Sequence, residues 1–367
     1  IYHSNLFEDL GFKYLGPIDG HNLDELTEAL MVAKMMQRPC LVHIYTKKGK
    51  GYAPAEDNSG EYHGLPPKKD DDNNCKGECF TDAFGKALLS FADKDNSIYA
   101  VTAAMKYGTG LQHFYKAFPE RFFDVGIAEQ HAVTFSAGLA SQGKLPVFAV
   151  YSSFLQRSYD QLIHDCAIEK RHIVLGIDRA GFVGEDGETH HGLFDVAMLT
   201  TVPGVTVYSP SDTAELSQCL EQALYKDKGI VAVRYPRGCE LYRSGTKAYS
   251  DFRHVSNKSR KLIFTYGRIS AYAYTIHGVD VLQAIKIFPI ADEIIDICLA
   301  YDEIYAFEEG EREGGIAQKL CTALALAGFK GRFTITAVDG FVRHADVATQ
   351  LHNAMLDADG MRKITGE

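Results

Sequence analysis

Positive charge is in short supply in this sequence. Lys and Arg number 38 against 48 Asp and Glu, a formal net charge of −10 over 367 residues. That balance argues against a surface built for nucleic acid or anionic membrane. Long apolar runs are lacking as well, since none reaches the ~20 residues of a membrane span. The longest candidate, LPVFAVYSSFL, leads straight into Gln156 and Arg157. Cys40, Cys75, Cys79, Cys166, Cys219, Cys239, Cys298 and Cys321 follow no disulfide-framework spacing, so they are expected as reduced thiols in a cytoplasmic setting. Only Cys75 and Cys79, in CKGEC, lie close together, and no second Cys or His pair stands near to complete a zinc site. There is no internal repeat, and no low-complexity tract beyond the short acidic run Asp70–Asp72. IYHSNLFEDLGFKYLGPIDGH carries neither a basic leader nor a cleavage signal and reads like the middle of a domain.

What is there is a globular composition, 46% hydrophobic and 23% charged, long enough for two or three domains at about 150 residues each. NLDELTEALMVAKMMQR opens with Asn22 as an N-cap and sets Leu26, Leu30 and Ala33 on one face; Pro39 ends it, and CLVHIYTKK follows as a strand. GKGYAPAEDNSGEYHGLPPKKDDDNNCKGE has almost no periodicity and reads as a long linker. Six strands then alternate with helical stretches: SIYAVTA, RFFDVGI, PVFAVYS, HIVLGID, VTVYSP and GIVAVRYP. This is the pattern of a doubly wound, mostly parallel α/β sheet. A polar stretch near 245–259 marks a boundary, and KLIFTYG, VDVLQAIKIFPI, DEIYAFEEG and RFTITAVDG build a smaller α/β region. The domains are expected at 1–73, 74–248 and 258–367.

Open α/β sheets place ligands at the C-terminal ends of their strands. Glu129 follows RFFDVGIA, Tyr151 and Ser152 end PVFAV, Arg179 follows HIVLGID, and Arg237 follows VAVRYP. One such residue alone is most often a solvated charge at the surface, but several from different strands of one sheet form a constellation. The loop DRAGFVGEDGETHHG (178–192) adds Asp186, His190 and His191 among four glycines, without the strand-GxGxxG-helix unit of dinucleotide binding. Adjacent histidines seldom converge on one metal, whereas a His near an Asp suits proton transfer or substrate hydrogen bonding. A carboxylate at Glu129, where a strand hands over to a run of small and apolar residues, is costly unless it is paired or something bound there uses it.

TKKGKGY (46–52), FDVGIAEQHAVTFSAGLA (123–140), YSSFLQRSYDQLIHD (151–165), DRAGFVGEDGETHHGLFD (178–195) and VRYPRG (233–238) resemble the 1-deoxy-D-xylulose-5-phosphate synthases, thiamine-diphosphate enzymes related to transketolase. AEQH and DGxTHxG recur across transketolase relatives; YSSFLQRSYDQ and DRAGFVGEDG are more selective. The resemblance covers nearly the whole chain. It implies a transketolase-like α/β fold in a homodimer, and condensation of pyruvate with D-glyceraldehyde 3-phosphate with loss of CO2, the first step of the methylerythritol phosphate route to isoprenoids. It implies that Glu129 hydrogen-bonds the aminopyrimidine ring nitrogen of thiamine diphosphate and so helps remove the thiazolium C2 proton. By the same matching, Tyr151 and Phe154 line the aminopyrimidine pocket, Tyr52 touches the cofactor, and Arg157 and Tyr151 face the substrate. His190 and Asp186 then handle the acceptor aldehyde, Arg179 and Arg237 clamp its phosphate, and His63 is an active-site histidine. Gln130 and His131 are left as structural.

The chain departs from the family at one place. The family binds the diphosphate through Mg²⁺ with Gly-Asp-Gly and a downstream Asn, and no such motif occurs here, so no metal ligand is assigned. Residues 1 to about 70 match only the end of that domain, and the chain is expected to be inactive by itself. The alternatives are a transketolase, a 2-oxo-acid dehydrogenase β-type subunit, or a non-catalytic scaffold.

Overall fold

The structure, a computed structural model, describes residues 5–63, 77–243, 245 and 248–367. Cys75 and the acidic run Asp70–Asp72 lie outside the described residues. The chain forms two compact units, Ile1–Asn73 and Asn74–Glu367.

In the first unit, strands β1 (Lys13–Asp19) and β2 (Cys40–Tyr45) pair in parallel, joined by the helix Leu23–Met35. Asn22 caps that helix by accepting from the amides of Asp24 and Glu25. The expected apolar stripe is only partly covered in this unit. Leu26 and Ala33 are half-buried, and Leu30 stays exposed. The stretch read as linker contains a short helix, Ala53–Asp57, whose first turn holds Pro54, a position where proline's missing N–H is not needed.

The second unit contains β3 (Ile98–Thr102), β4 (Phe122–Asp124), β5 (Leu145–Tyr151), β6 (Ile173–Asp178), β7 (Val205–Tyr208), β8 (Ile230–Arg234), β9 (Phe252–Val255), β10 (Lys261–Tyr266), β11 (Asp280–Ala284), β12 (Lys286–Phe288), β13 (Glu303–Glu311) and β14 (Arg332–Val338). Among the described residues these make a seven-stranded sheet, order β12-β7-β8-β6-β5-β3-β4, and a five-stranded sheet, order β14-β13-β10-β11-β9. The six strands expected from the sequence all lie in the first of these and run parallel. Their apolar runs follow from burial on both faces: β6 is buried at every residue and β5 at all but its last. β4 sits at the sheet edge and is short, so Glu129 is reached through a turn in which Gly126 has φ +73°. VDVLQAIKIFPI, assigned whole to the smaller α/β region, is split between the two sheets. Its first half is β11 in the smaller sheet, and KIF crosses over as β12 to pair antiparallel with β7. A single core joins the sheets, with Ile177 and Val207 on one side and Tyr266, Ala306 and Ile316 on the other.

β13 carries two consecutive buried glutamates, which a strand must aim at opposite faces. Glu308 accepts from the amides of Ile316 and Ala317 at 2.9 and 2.8 Å, the first turn of the helix Ile316–Leu326, and from the Tyr266 hydroxyl at 2.6 Å. A side chain at Gly315 would fall 2.6 Å from that carboxylate, so EREGG needs glycine there. Glu309 faces the other way, onto the loop after β6.

The expectation of reduced thiols fails at Cys239, which is disulfide-bonded. The Cys79 sulfur lies 2.6 Å from the Cys239 sulfur, and the two residues form an antiparallel bridge across 160 positions of sequence. Spacing along the chain could not show that proximity. Among the described residues no helix is long and apolar enough to cross a membrane.

At the end of β8, Arg234 grips Asp195 with Nε at 2.8 Å and Nη2 at 3.2 Å, and both residues are buried. Removing one partner strands the other charge away from water. Arg234→Ala is therefore expected to lower stability by roughly 3–5 kcal/mol. Urea unfolding measures this, and a loss below about 1 kcal/mol, the worth of an exposed pair, would show that water reaches Asp195.

Candidate active site

The site grows from the topology of the larger sheet. β3 and β5 are neighbours, but the chain leaves β3 towards β4 on one side and leaves β5 towards β6 on the other. The loops diverge and open a crevice at the carboxyl ends of these strands. Tyr151 ends β5 at that crevice, and its hydroxyl occupies the place a side chain at Gly108 would need, 1.7 Å from the would-be Cβ.

Tyr151 organises what surrounds it. Its ring stacks on Phe154 (centroids 5.6 Å apart), and Phe154 meets the His190 ring edge-on at 5.2 Å. The Arg179 guanidinium lies 3.8 Å from the Tyr151 ring centroid, a cation–π contact. Burial raises the Tyr151 hydroxyl's pKa above its ordinary value, although Arg179 opposes that shift. Arg179 donates to the Gly108 carbonyl and to Asp186, each at 3.0 Å. Arg237 Nη1 is 3.3 Å from the other Asp186 oxygen. One carboxylate thus bridges two guanidinium groups, each offering a planar fork that matches the oxygens of a phosphate.

Glu129 begins the helix Glu129–Ser141 and is 2% exposed. Among the described residues its one hydrogen-bond partner is Arg157, whose Nη1 is 3.4 Å from Oε2. Arg157 is largely exposed, and its helical segment directly follows the one bearing Phe154. A buried carboxylate held among the described residues by one weak contact, in the unit that also carries the stacked Tyr151 and Phe154 rings, fits a flat heterocycle that donates a hydrogen bond. This donor set suits the aminopyrimidine half of thiamine diphosphate. For Mg²⁺ the residues do not fit: among the described residues no group of three His, Cys, Asp or Glu side chains could hold a metal ion.

Glu129, Tyr151, Phe154, Arg157, Arg179, Asp186, His190 and Arg237 all belong to the second unit. Tyr52 and His63 belong to the first. There Tyr52 is exposed and packs edge-on against Tyr62 at 5.7 Å, and His63 Nδ1 accepts from the Lys48 ammonium. His190 and His191 have different surroundings. His190 is half-buried against Phe154, while His191 is buried, accepts from the Val183 amide at 3.2 Å through Nδ1, and has its pKa lowered by burial.

Sequence reading missed Asp178, the last residue of β6. It is fully buried, accepts from the Thr81 hydroxyl at 2.7 Å and lies 3.5 Å from Arg179. As part of HIVLGID it reads as a strand-end polar residue, and the signal that could have found it is its place directly before Arg179. Burial pushes its carboxyl from 3.8 up to about 6, against the pull of Arg179 and Thr81. Between about pH 4 and 6 the folded state then binds more proton than the unfolded chain. The group's contribution to stability is therefore full below pH 4 and lost as pH rises through 6. Wild type should gain stability relative to Asp178→Asn as the pH falls from 7 to 4.5, measured by urea unfolding at each pH. A difference that stays constant across that window would place the proton on another group.

Residues 79–240 match the family described as transketolase, pyrimidine binding domain, and residues 1–46 match 1-deoxy-D-xylulose-5-phosphate synthase. The chain is 49% identical over 278 residues to a 1-deoxy-D-xylulose-5-phosphate synthase of Clostridium kluyveri, covering 73% of this chain and 44% of that protein. Enzymes of the same name match almost end to end. That of Caldanaerobacter subterraneus subsp. tengcongensis is 40% identical over 97% of this chain, and that of Thermomicrobium roseum 39% over 100%. The chain spans 60% of the length of each of these two relatives. Among solved structures, a split-gene transketolase described as an inactive beta4 tetramer superposes with TM-score 0.68 at 23% identity, over 77% of this chain and 96% of its own. A transketolase from Campylobacter jejuni gives 0.66 at 14% identity, over 100% of this chain and 70% of its own. Those likenesses show the fold, mostly parallel α/β sheets flanked by helices. The relatives at about 40% identity and the two matching family descriptions place the chain more narrowly: it belongs to the transketolase-like family of 1-deoxy-D-xylulose-5-phosphate synthases.

Proposed function

We propose that this chain serves the thiamine-diphosphate-dependent joining of pyruvate to D-glyceraldehyde 3-phosphate, giving 1-deoxy-D-xylulose 5-phosphate and CO2. The observation that carries this reading is a buried Glu129 whose one hydrogen-bond partner among the described residues is Arg157, in the same unit as two arginines bridged by Asp186. When bound, the cofactor supplies an acidic carbon and an electron sink for decarboxylation. Glu129 holds the proton on the aminopyrimidine ring nitrogen. Its burial favours this, because a hydrogen bond is stronger where water is excluded. Tyr151 and Phe154 line the aminopyrimidine pocket, and Arg157, which pairs with Glu129, faces the 2-oxo acid.

At the acceptor end, Arg179 and Arg237 take the phosphate, and Asp186 then turns with His190 to the aldehyde's hydroxyl and carbonyl. Tyr52 and His63, in the first unit, keep the cofactor-contact and active-site roles that their motifs carry in the family, and Mg²⁺ would be held by residues other than those described. The protein works in the cytoplasm as a homodimer. A transketolase is the second reading; the selective YSSFLQRSYDQ stretch, and 14% and 23% identity to solved transketolases, favour the synthase.

Glu129→Gln keeps the size of the side chain and one hydrogen bond but removes the carboxylate. Exchange of the thiazolium C2 proton for deuterium, followed by NMR in the cofactor-loaded protein, is expected to slow by about 10²–10⁴-fold, the usual worth of a positioned proton-transfer group. Exchange at the wild-type rate would return Glu129 to a structural role.

A further inference from the structure

The loop after β6 is held in a conformation that its residues resist. Arg179 has φ +62°, and it is followed by Gly181 at +80° and Gly184 at +63°. A non-glycine residue in the left-handed region persists only where its surroundings over-determine it. The backbone amides show what does so. Ala180 donates to the Tyr235 carbonyl at 3.0 Å, and Gly181 to the Gly192 carbonyl at 2.7 Å. Phe182 donates to Glu309 Oε1 at 2.8 Å, and Gly184 to Gln350 Oε1 at 3.3 Å. On the carbonyl side, Arg268 Nη2 donates to Phe182 O at 2.8 Å, and Arg237 Nη1 donates to Val183 O at 3.0 Å.

Arg268 and Glu309 come from the smaller sheet's end of the unit, and both are buried. They form a two-pronged pair, with Arg268 Nε 2.9 Å from Glu309 Oε2 and Nη2 on Oε1. Among the described residues, every hydrogen bond leaving this pair ends on a site loop: the Phe182 amide, the Phe182 carbonyl, or the Arg237 carbonyl at 3.4 Å. A pair that served only to stabilise the smaller sheet would bond within that sheet, as Glu308 does. Phe182 adds an apolar anchor, fully buried beside Ile269, Phe307 and Leu351. The loop has been shaped to admit the carboxylate, since a side chain at Gly181 would sit 2.4 Å from Glu309 Oε1.

The geometry points to Arg268 and Glu309 as a positioning pair that sets the spacing of Arg179 and Arg237 and so governs how well the site grips a phosphorylated acceptor. Neither residue touches the substrate. They act through the backbone of residues 180–184 and of Arg237. This inference rests on the reading of Arg179 and Arg237 as the phosphate clamp, which the same experiment tests separately.

The test is a titration of the ³¹P resonance of D-glyceraldehyde 3-phosphate with the protein. Replacing a buried ion pair by apolar side chains of similar volume tends to preserve folding. Arg268→Met with Glu309→Leu is therefore expected to melt near the wild type yet bind the phosphate ester at least tenfold more weakly. Arg268→Lys keeps the charge opposite Glu309 but not the fork, and is expected to lose at least threefold if the double variant is poorly folded. Contact-mediated effects are not additive. Adding Arg268→Met and Glu309→Leu to Arg237→Ala should thus weaken binding by clearly less than the two separate losses combined. Wild-type binding in the folded double variant, or losses that simply add, would overturn the positioning role. If Arg237→Ala itself binds as tightly as wild type, the clamp reading falls first and this inference with it.

Discussion

Two guanidinium groups share one carboxylate at the centre of this site, and most of the local structure follows from that arrangement. Like charges brought together beside low-dielectric protein repel, and Asp186 between Arg179 and Arg237 offsets the repulsion. To reach Asp186 from the end of β6, Arg179 adopts a left-handed backbone. That turn lets its guanidinium lie on Tyr151 and donate to Gly108, which must be glycine because the Tyr151 hydroxyl fills its side-chain space. Gly192 is fixed by the same loop, since a side chain there would meet the Arg179 carbonyl at 2.2 Å. Gly108 and Gly192 are thus steric requirements of the packing around Arg179 and Tyr151.

Glu129 has the opposite problem. It is a buried carboxylate with a single, largely exposed cation near it, and a contact of 3.4 Å to Arg157 is a weak hold. Its position at the start of a helix helps, because the free amides of a first turn favour negative charge. Ala128 precedes it and supplies no side-chain cap. A residue chosen for stability at that place would cap the helix with a short polar side chain instead. Glu129 reaches inward, which is the arrangement expected of a group reserved for a ligand.

How much of this was legible in the sequence depends on how far apart the interacting residues are. The inner strands of the larger sheet announced themselves because burial on both faces makes them almost continuously apolar, and the strand-end rule then picked out Tyr151, Arg179 and Arg237. The roles attached to those residues came from motifs, since no periodicity distinguishes an Arg that grips an anion from one that faces water. What escaped was set by tertiary contact alone. KIF lies in a different sheet from DVLQA two residues earlier, and Cys79 and Cys239, whose sulfurs lie close together, are 160 positions apart. Asp178 looked like the polar end of a strand until Thr81, 97 positions away, was seen to hold it.

The pair of glutamates in β13 shows why the two sheets form one unit. A strand inside a sheet can serve two faces at once, and EE at its buried end puts one carboxylate on each. Glu308 ties the strand to the helix that covers it, and Glu309 ties it to the loop that carries Arg179. Each carboxylate would be costly alone. Each is satisfied by its donors: helix amides on one side, a loop amide and a guanidinium on the other. β12 binds the same halves together through backbone, with the amide of Ser209 donating to the carbonyl of Ile285 at 2.8 Å where the chain crosses. The loop bearing Arg179 therefore cannot shift without breaking charged hydrogen bonds to the smaller sheet, and the two arginines owe their spacing to both sheets.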